Sequence, residues 1–476
     1  MKRILILLSA SLLTSLSFAQ TLQDAYRFSH IANFGTSRGA GLGNSMGALG
    51  ADFYSASFNP AGIRVFPQSN MNVDFGVYIK SNENKYHGVE NSEQSTDFSL
   101  SSIGFVKAFK NSNHKIRFGI GVNNLANFNN HIRNEAYNNS SSRLYSFLQN
   151  ANGTTADKLN AFREQLAFNT YLLDYDGSPS QYKIPVDAAG QDEYYSLRQS
   201  GQMNETVLAI AFEAQSDLNI GFSLGFPSLN YEESSHYRES NFTDSTSLDY
   251  FSYRTYLNTV ANGINLKLGF QYNPADFVRL GFAFHSPTWY SVSESFSAQM
   301  AAYFLDSAHI SDSPIGLYDY DVTSPIRIIS SAGFIFGTKG LISLEHEYLN
   351  YAGTKFNSPA VFSELNESIN ESFAAAHRVK IGGELNLFPV QLRAGYAIST
   401  SPFKTDNELD FDGSLAQKSL SLGASVNMKN WRLNLACTQS STEAYEQLTY
   451  ATSFYESVIT VNERFSLLSF GVNYQF

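Results

Sequence analysis

The sequence is poor in cysteine, in basic residues and, beyond its first residues, in long apolar runs. Cys437 is the only cysteine among 476 residues, which excludes an internal disulfide and a cysteine-based metal site. After residue 16 no uninterrupted stretch is apolar enough to form a membrane-spanning helix. The chain has 32 Lys and Arg against 43 Asp and Glu, a balance that argues against a nucleic-acid-binding protein.

Aromatic residues, by contrast, are abundant, with 38 Phe and 28 Tyr. The chain begins like a secretory signal, because Lys2 and Arg3 precede an apolar run that ends in small residues. We expect cleavage before Gln20, so that residues 1–19 are a signal peptide; a membrane anchor is the alternative. An exported, acidic and aromatic-rich chain without disulfides is typical of an outer-membrane barrel.

Apolar residues alternate with polar or small ones over residues 378–385, 390–398 and 431–438. Alternation with period two indicates strands whose two faces lie in different surroundings. No charged residue occurs on the apolar face of these strands, whereas Arg, Lys and Glu occur on the other face. A Lys or Arg that faces the middle of a bilayer costs about 2–4 kcal/mol. The pattern therefore favours strands that cross a membrane, with a soluble sandwich as the alternative.

The sequence predicts an all-β fold, a 14-stranded antiparallel transmembrane β-barrel formed by residues 67–476. Short turns alternate with longer loops, of which the longest, 134–201, is a predicted extracellular insert with helical segments. The apolar face that ends in Phe476 resembles the signal read by the barrel assembly machinery. The predicted strands are 69–80, 95–109, 114–133, 202–215, 217–238, 249–273, 276–299, 319–336, 340–356, 372–387, 389–404, 415–428, 430–440 and 461–476.

Residues 20–66 precede the first strand and do not alternate. They are rich in Gly and Ala, but they also contain Leu42, Phe53 and Phe58, which a disordered tail would not need. Because Gly permits close backbone approach, we expect this segment to be a hatch inside the barrel. Near its end, the turn formed by Asn59, Pro60, Ala61 and Gly62 is predicted to hold the hatch in its closed position.

The motifs of this segment resemble the hatch of FadL-type outer-membrane transporters. Between Ser37 and Gly62 the order is Ser-Arg-x-x-Gly-x-Gly, Ala-Asp-Phe and Asn-Pro-Ala-Gly, and stretches from Leu266 to Phe403 resemble the family in the same order. The resemblance implies a plugged barrel in the outer membrane of a Gram-negative bacterium, surrounded by outer-membrane lipid. It also implies a transporter of long-chain fatty acids or other hydrophobic compounds, with aromatic hydrocarbons and haem as further possibilities.

Two further groups of residues are candidates for function. In the family, the ligand leaves sideways where a strand is kinked. The candidates for such a kink are Gly119, Gly121 and the stretch that begins at Asn123 and ends at Asn130, because glycine weakens a ladder and permits a bend. Five charged residues are expected to face the lumen and to form structural ion pairs, a contact with a ligand carboxylate being the alternative. These five are Arg378, Lys380, Glu384, Arg393 and Arg432.

We expect no catalytic residue, no metal and no cofactor, and we expect the chain to be a monomer and not an enzyme. The glycines of Gly39-Ala-Gly41-Leu-Gly43 lack both the preceding strand and the following Lys of a nucleotide-binding loop. The predicted function is uptake by capture at the loops, binding in a pocket and release gated by the hatch. The alternatives are a component of a protein secretion system and a porin for polar solutes.

Overall fold

The computed structural model describes residues 21–32, 34–109, 115–186, 189–243, 247–404, 415–442, 445–453 and 455–476, so the predicted signal peptide lies outside it. None of the helices in these ranges has the length and apolar content needed to cross a bilayer. The helices are α1 (Leu22–Ser29), α2 (Ser37–Gly41), α3 (Arg143–Ala151), α4 (Glu164–Asn169) and α5 (Pro359–Ser372), with 3₁₀ turns at Phe53–Ser57, Pro60–Val65, Ala156–Lys158 and Tyr351–Gly353. The strands are β1 (Asn70–Tyr86), β2 (Val89–Ala108), β3 (Arg117–Asn127), β4 (Asn130–Asn138), β5 (Asp174–Tyr175), β6 (Tyr182–Lys183), β7 (Gln191–Gln215), β8 (Leu218–Ser240), β9 (Leu248–Ala275), β10 (Val278–His285), β11 (Trp289–Phe304), β12 (Ala308–Asp312), β13 (Gly316–Thr323), β14 (Arg327–Ile335), β15 (Gly340–Asn350), β16 (Lys355–Asn357), β17 (Ala375–Leu387), β18 (Val390–Ser399), β19 (Gln417–Met428), β20 (Trp431–Thr442), β21 (Tyr445–Ala451) and β22 (Glu456–Gln475).

The strands form an antiparallel sheet that closes on itself, because β1 pairs with β2 on one side and with β22 on the other. Over the described residues, five positions of the wall contain two or three strands in line, and three of them lie between β2 and β15. β3 and β4 both pair with β7, and β10 and β11 both pair with β9. On the other side of this position, β13 pairs with β11 and β14 pairs with β10. Counted this way over the described residues, the wall has 14 strand positions, which confirms the predicted fold class.

The outer surface of the wall is apolar over a continuous band. Leu422 and Leu435, for example, are 58% and 53% exposed, although both are large apolar residues on regular strands. Exposed aromatic residues cluster near the short turns, as they do at the membrane interface of a barrel. Members of the band include Ile210, Phe222, Phe282, Ile381 and Phe470, and the aromatic cluster contains Phe109, Phe277, Phe336, Phe388, Trp431 and Phe476.

Short connections join neighbouring strands at one end of the barrel, as predicted, although the predicted turn 110–113 lies outside the described residues. At the opposite end the predicted bounds were wrong in two places. β1 and β2 continue to a turn at His87 and Gly88, and the insert spans 139–190 rather than 134–201. The strands are longer than predicted because their outer parts carry polar residues on both faces, and the apolar alternation used to find strands is absent there.

Residues 21–66, the hatch, lie inside the barrel and are almost entirely buried between Phe34 and Phe66. Polar side chains cap its short helices, since Thr36 Oγ1 accepts a hydrogen bond from Gly39 N (3.1 Å) and Asp52 accepts one from Tyr54 N (2.9 Å). Phe53 and Ile63 pack against apolar side chains of β2 and β7. A glycine-rich segment is thus ordered by its capping bonds and by the wall around it.

The insert covers the end of the barrel opposite the short turns. Leu144 and Phe147 of α3 and Leu166 of α4 are buried in one cluster with Tyr237 and Phe251 of the strand ends. Tyr253 OH donates a hydrogen bond to the carbonyl of Phe162 in the insert (2.8 Å). The apolar side chains of the insert therefore face the barrel mouth.

Candidate ligand-binding site

Glycines line the inner wall where it meets the hatch. A Cβ atom at Gly104 or Gly121 would overlap the ring of Phe53, and one at Gly269 would overlap Asn59 and Pro60. The hatch backbone therefore lies directly against the backbone of the wall, an approach that only glycine allows. The wall glycines in contact with the hatch, here called the glycine belt, are Gly104, Gly121, Gly221, Gly269, Gly281, Gly333, Gly382, Gly395, Gly423 and Gly471.

The turn predicted to hold the hatch does contact both the hatch and the wall. The Asn59 side-chain amide donates to the carbonyl of Gly47 in the hatch (2.7 Å) and to that of Phe270 on β9 (3.1 Å). Its Oδ1 accepts from Ala61 N (3.3 Å), while Pro60 begins the following 3₁₀ turn. Gly62 accepts a hydrogen bond from Ala51 N at its carbonyl (3.0 Å).

The five charged residues expected in the lumen all lie inside the barrel, in two groups. In the group nearer the short turns, Arg393 Nε donates to Glu384 (2.7 Å), which also lies 3.7 Å from Arg38 of the hatch. Arg432 Nε donates to Asn427 Oδ1 (2.7 Å). These contacts connect neighbouring strands to one another and to the hatch.

In the second group, Lys380 Nζ lies 2.8 Å from Glu345 and 3.2 Å from Glu347. Arg378 lies 3.7 Å from the same Glu347. The other oxygen of Glu345 accepts a hydrogen bond from Gly47 N of the hatch (2.7 Å). Lys380, Glu345 and Glu347 are buried and Arg378 is partly buried, so their pairing offsets a large desolvation cost.

A cavity of about 270 Å³ lies inside the barrel between α1 and the wall. Phe34, Phe128 and Phe465 give it a largely apolar lining. Charged residues also line it, with Arg327 and Arg378 beside Glu347 and with Lys80 paired with Glu463 (3.3 Å). An apolar lining with a few convergent polar groups is typical of a small-molecule site.

His30, directly after α1, lines this cavity together with Tyr26 and Arg27 of the hatch. Burial, together with the nearby cations of Arg378 and Arg327, lowers the pKa of His30 to about 3. Its Nδ1 lies 2.9 Å from Tyr26 OH and 3.3 Å from Tyr351 OH. His30 is therefore neutral at physiological pH and adds no charge to the cavity.

The wall is interrupted beside this cavity. The ladder between β2 and β3 ends at Ser102 and Asn123, and the β3 register shifts between Asn124 and Ala126. Beyond that point side chains bridge the strands, with Asn127 Nδ2 donating to Asp97 Oδ2 (2.7 Å). We call the space between β2 residues 95–101 and β3–β4 residues 124–130 the wall gap.

The wall gap lies at one of the candidate kinks, the stretch that begins at Asn123, and not at the two glycines. Gly119 and Gly121 lie in an unbroken ladder, opposite Val106 and Gly104, and Asn123 is the last residue of β3 that pairs with β2. Gly121 is a glycine because Phe53 of the hatch occupies the space of its side chain. The break follows from the asparagine-rich stretch after Asn123, whose side chains compete with ladder hydrogen bonds.

Sequence reasoning missed the residues that form the cavity. Tyr26 and His30 stack at 4.8 Å, one helical turn apart, but α1 was predicted only as part of the hatch. Arg327 was not singled out either, although it lies 3.0 Å from Glu347. The positions of the wall glycines on inward faces would have indicated where the hatch packs. Over the described ranges, no three His, Cys, Asp or Glu side chains converge as a metal site would require.

No protein-family model matches the sequence, and no curated protein matches it either. Solved structures do match. The toluene transporter TodX of Pseudomonas putida has a TM-score of 0.53 and 12% identity, covering 94% of this chain and 100% of that chain. A FadL homologue of Pseudomonas aeruginosa has a TM-score of 0.55 and 11% identity, with the same coverage. The toluene transporter TbuX of Ralstonia pickettii gives 0.51 and 12%, covering 95% of this chain and 100% of that chain.

At these identities the likeness establishes the fold. The chain has the plugged 14-stranded barrel shared by FadL-type outer-membrane channels, as its sequence motifs predicted.

Proposed function

We propose that this chain is a FadL-type channel of the outer membrane that takes up small hydrophobic compounds. The observation that supports this most directly is the position of the cavity. Ala126, Asn127, Phe128 and Asn130 line it, and these same residues form one side of the wall gap. A ligand in the cavity therefore lies beside an interruption of the wall at the level where the outer surface is apolar.

Size and polarity favour an apolar ligand. An apolar cavity of about 150 Å³ is large enough to bind benzene, and this one has about 270 Å³. Each buried CH₂ contributes about 0.8 kcal/mol, so a hydrophobic ligand needs no large polar contact surface. Monocyclic aromatic compounds fit this site, and the solved neighbours include proteins named as toluene transporters. Long-chain fatty acids are the second ligand class, because Arg327 and Arg378, which pair with Glu347, line the cavity and would lie near a ligand carboxylate.

The proposed route has three steps. A compound is captured at the insert and the neighbouring loops, binds in the cavity, and leaves through the wall gap into the bilayer. The sequence motifs suggested that movement of the hatch gates release. The close contact along the glycine belt favours a hatch that stays in place while the ligand moves sideways. The same contact disfavours a porin for polar solutes, because the hatch fills the lumen that such solutes would use.

The test is uptake of radiolabelled toluene and of radiolabelled oleate by cells that express the chain. Ala376 lines the cavity, so Ala376→Phe should fill part of it and reduce uptake at least severalfold. Ala424→Phe is the matched control, because Ala424 lies on the lipid-facing side of β19 between the exposed Leu422 and Val426. Uptake by both variants at the wild-type rate would contradict the proposed site.

The membrane placement is tested separately with single cysteines in a Cys437→Ser background. Lys339 lies in a short turn and Asn152 lies in the insert. In intact cells, a membrane-impermeant thiol reagent should label Asn152→Cys and leave Lys339→Cys unlabelled until the outer membrane is opened. Labelling of both positions in intact cells would contradict the proposed orientation.

A further inference from the structure

Four neighbouring strands carry a cluster of cations on the outer face of the barrel, away from the lumen. On β4, β7, β8 and β9 the residues Arg133, Ser196, His236 and Arg254 lie directly opposite one another. Two residues closer to the short turns, His131 of β4 lies opposite Arg198 of β7. Two residues farther from the short turns, Tyr194 of β7 lies opposite Arg238 of β8. The outer basic patch comprises His131, Arg133, Arg198, His236, Arg238 and Arg254.

The patch differs in charge from the rest of the molecule. The chain has a net charge of −11, yet all four arginines of the patch are exposed on one surface. Arg133 pairs with Glu135 at 3.2 Å, and both side chains are at least half exposed. Within the described part of the chain, no carboxylate lies at ion-pair distance from Arg198, Arg238 or Arg254. Three guanidinium groups on adjacent strands therefore lack a protein anion.

A groove of about 890 Å³ adjoins the patch, and His131, Arg198, Ser234 and Tyr256 line it. Two of the carboxylates in the groove already accept hydrogen bonds from the protein, Asp97 from Asn127 (2.7 Å) and Glu233 from Gln199 (3.0 Å). The third carboxylate in the groove, Glu232, is exposed and lies 3.5 Å from the Asn258 side-chain amide.

The middle of the patch contains a second unsatisfied group and an aromatic ring. His236 Nε2 is buried and has no hydrogen-bond partner. The ring of Tyr194 lies 5.6 Å from the Arg133 guanidinium and 5.7 Å from that of Arg238. The surface thus offers guanidinium groups, hydroxyl groups and a ring within a small area.

The height of the patch identifies the chemistry it faces. On the outward face of β9, apolar side chains run unbroken from Tyr272 to Ile264, and beyond them Val260 is the last aliphatic side chain. Arg254 lies six residues beyond Val260 along this strand, past Asn258 and Tyr256. At about 3.3 Å per residue and a tilt of about 40°, this places the patch roughly 15 Å beyond Val260. That layer of an outer membrane contains sugars and phosphates instead of acyl chains.

We propose that the outer basic patch binds the phosphorylated core saccharide of a glycolipid in the outer leaflet. Guanidinium groups bind phosphate through paired, charge-assisted hydrogen bonds. The serine and tyrosine hydroxyls of the groove bind sugar hydroxyls, and Tyr256 offers an aromatic face to a sugar ring. The proposal rests on the outer-membrane placement proposed above, but it is independent of the transported compound.

The test is binding of purified lipopolysaccharide with phosphorylated core to the purified full-length barrel in detergent. The variant Arg198→Gln/Arg238→Gln/Arg254→Gln removes three cations without changing the apolar band. The matched control is Lys418→Gln/Arg464→Gln, because both side chains are exposed on the outer wall of other strands. We expect the triple variant to bind roughly tenfold more weakly or worse, and the control to bind as the wild type does.

Two further ligands identify what is recognised. Lipopolysaccharide stripped of its core phosphates should bind the wild type as weakly as the intact glycolipid binds the triple variant. Phosphatidylglycerol vesicles should compete poorly with the intact glycolipid. Equal binding by wild type and triple variant, equal binding of the stripped glycolipid, or full competition by phosphatidylglycerol would each overturn the proposal. Cell fractionation tests the outer-membrane placement separately. A chain found outside the outer membrane would contradict that placement, whereas a chain found in the outer membrane that fails the binding test would contradict the glycolipid site alone.

Discussion

Gly382 and Gly383 are neighbours on β17 that face opposite surroundings. A Cβ atom at Gly382 would overlap the carbonyl of Leu42 in the hatch, whereas one at Gly383 has only Leu341 O nearby, at 3.8 Å. Gly382→Val should therefore displace the hatch and raise ion conductance in planar bilayers, while Gly383→Val should conduct like the wild type. Both changes add the same β-branched side chain to the same strand, so any difference reflects the hatch. Equal conductance of the two variants would show that the glycine belt does not hold the hatch in place.

His30 predicts a specific pH dependence of stability. Its pKa is lowered to about 3 in the folded chain, and it returns to about 6.5 on unfolding. Below pH 6.5 His30 therefore binds a proton in the unfolded chain but stays neutral in the folded chain. The free energy of unfolding decreases as the pH falls. Between pH 7 and pH 5 this loss is about 2 kcal/mol. Urea unfolding of His30→Gln should show a smaller loss over this interval than the wild type, and an identical loss would contradict a buried, neutral His30.

Among the elements, the broken third strand position controls the proposed exit. Asp97 and Asn127 are joined by a side-chain hydrogen bond across the wall gap (2.7 Å), so we expect a disulfide between cysteines at these two positions to tie the gap closed. In a Cys437→Ser background, Asp97→Cys/Asn127→Cys should lose uptake of radiolabelled toluene when oxidised and regain it when reduced. The single variant Asn127→Cys is the control and should not respond to oxidation. Undiminished uptake by the fully oxidised pair would exclude this gap as the exit.

The same elements show what could be read from the sequence. Strands such as β18 and β20 were predicted closely because their outward residues must be apolar and their inward residues need not be. The outer parts of β1, β2 and β7 were missed because beyond the bilayer both faces meet water and polar side chains. Of the candidate kinks, the two glycines do not lie at the break, because a glycine in a strand can mark either a weak ladder or a close neighbour. Only the folded chain shows that Gly121 serves the second purpose.

At the scale of the whole molecule, polarity changes both across the wall and along its height. The inner face carries paired charges around a packed hatch, and the outer face is apolar near the short turns and cationic at the opposite end on β4, β7, β8 and β9. A soluble barrel would need no apolar outer band, and an open porin would need no glycine belt. Together these features agree with the proposal of a membrane-crossing barrel whose ligand leaves through the wall.

The outer band predicts a cost that depends on depth. Leu435 and Gln439 lie on the same outward face of β20 and are both exposed. Leu435 pairs with Phe470 within the apolar band, whereas Gln439 pairs with Ser466 at its edge. Leu435→Arg should therefore destabilise the barrel by about 2–4 kcal/mol, and Gln439→Arg by about 0–1 kcal/mol. Urea unfolding in lipid vesicles measures both values, with heat-modifiable mobility reporting the yield of folded barrel. If the two substitutions cost the same, the outer face at Leu435 does not contact lipid, and the transmembrane orientation argued above is wrong.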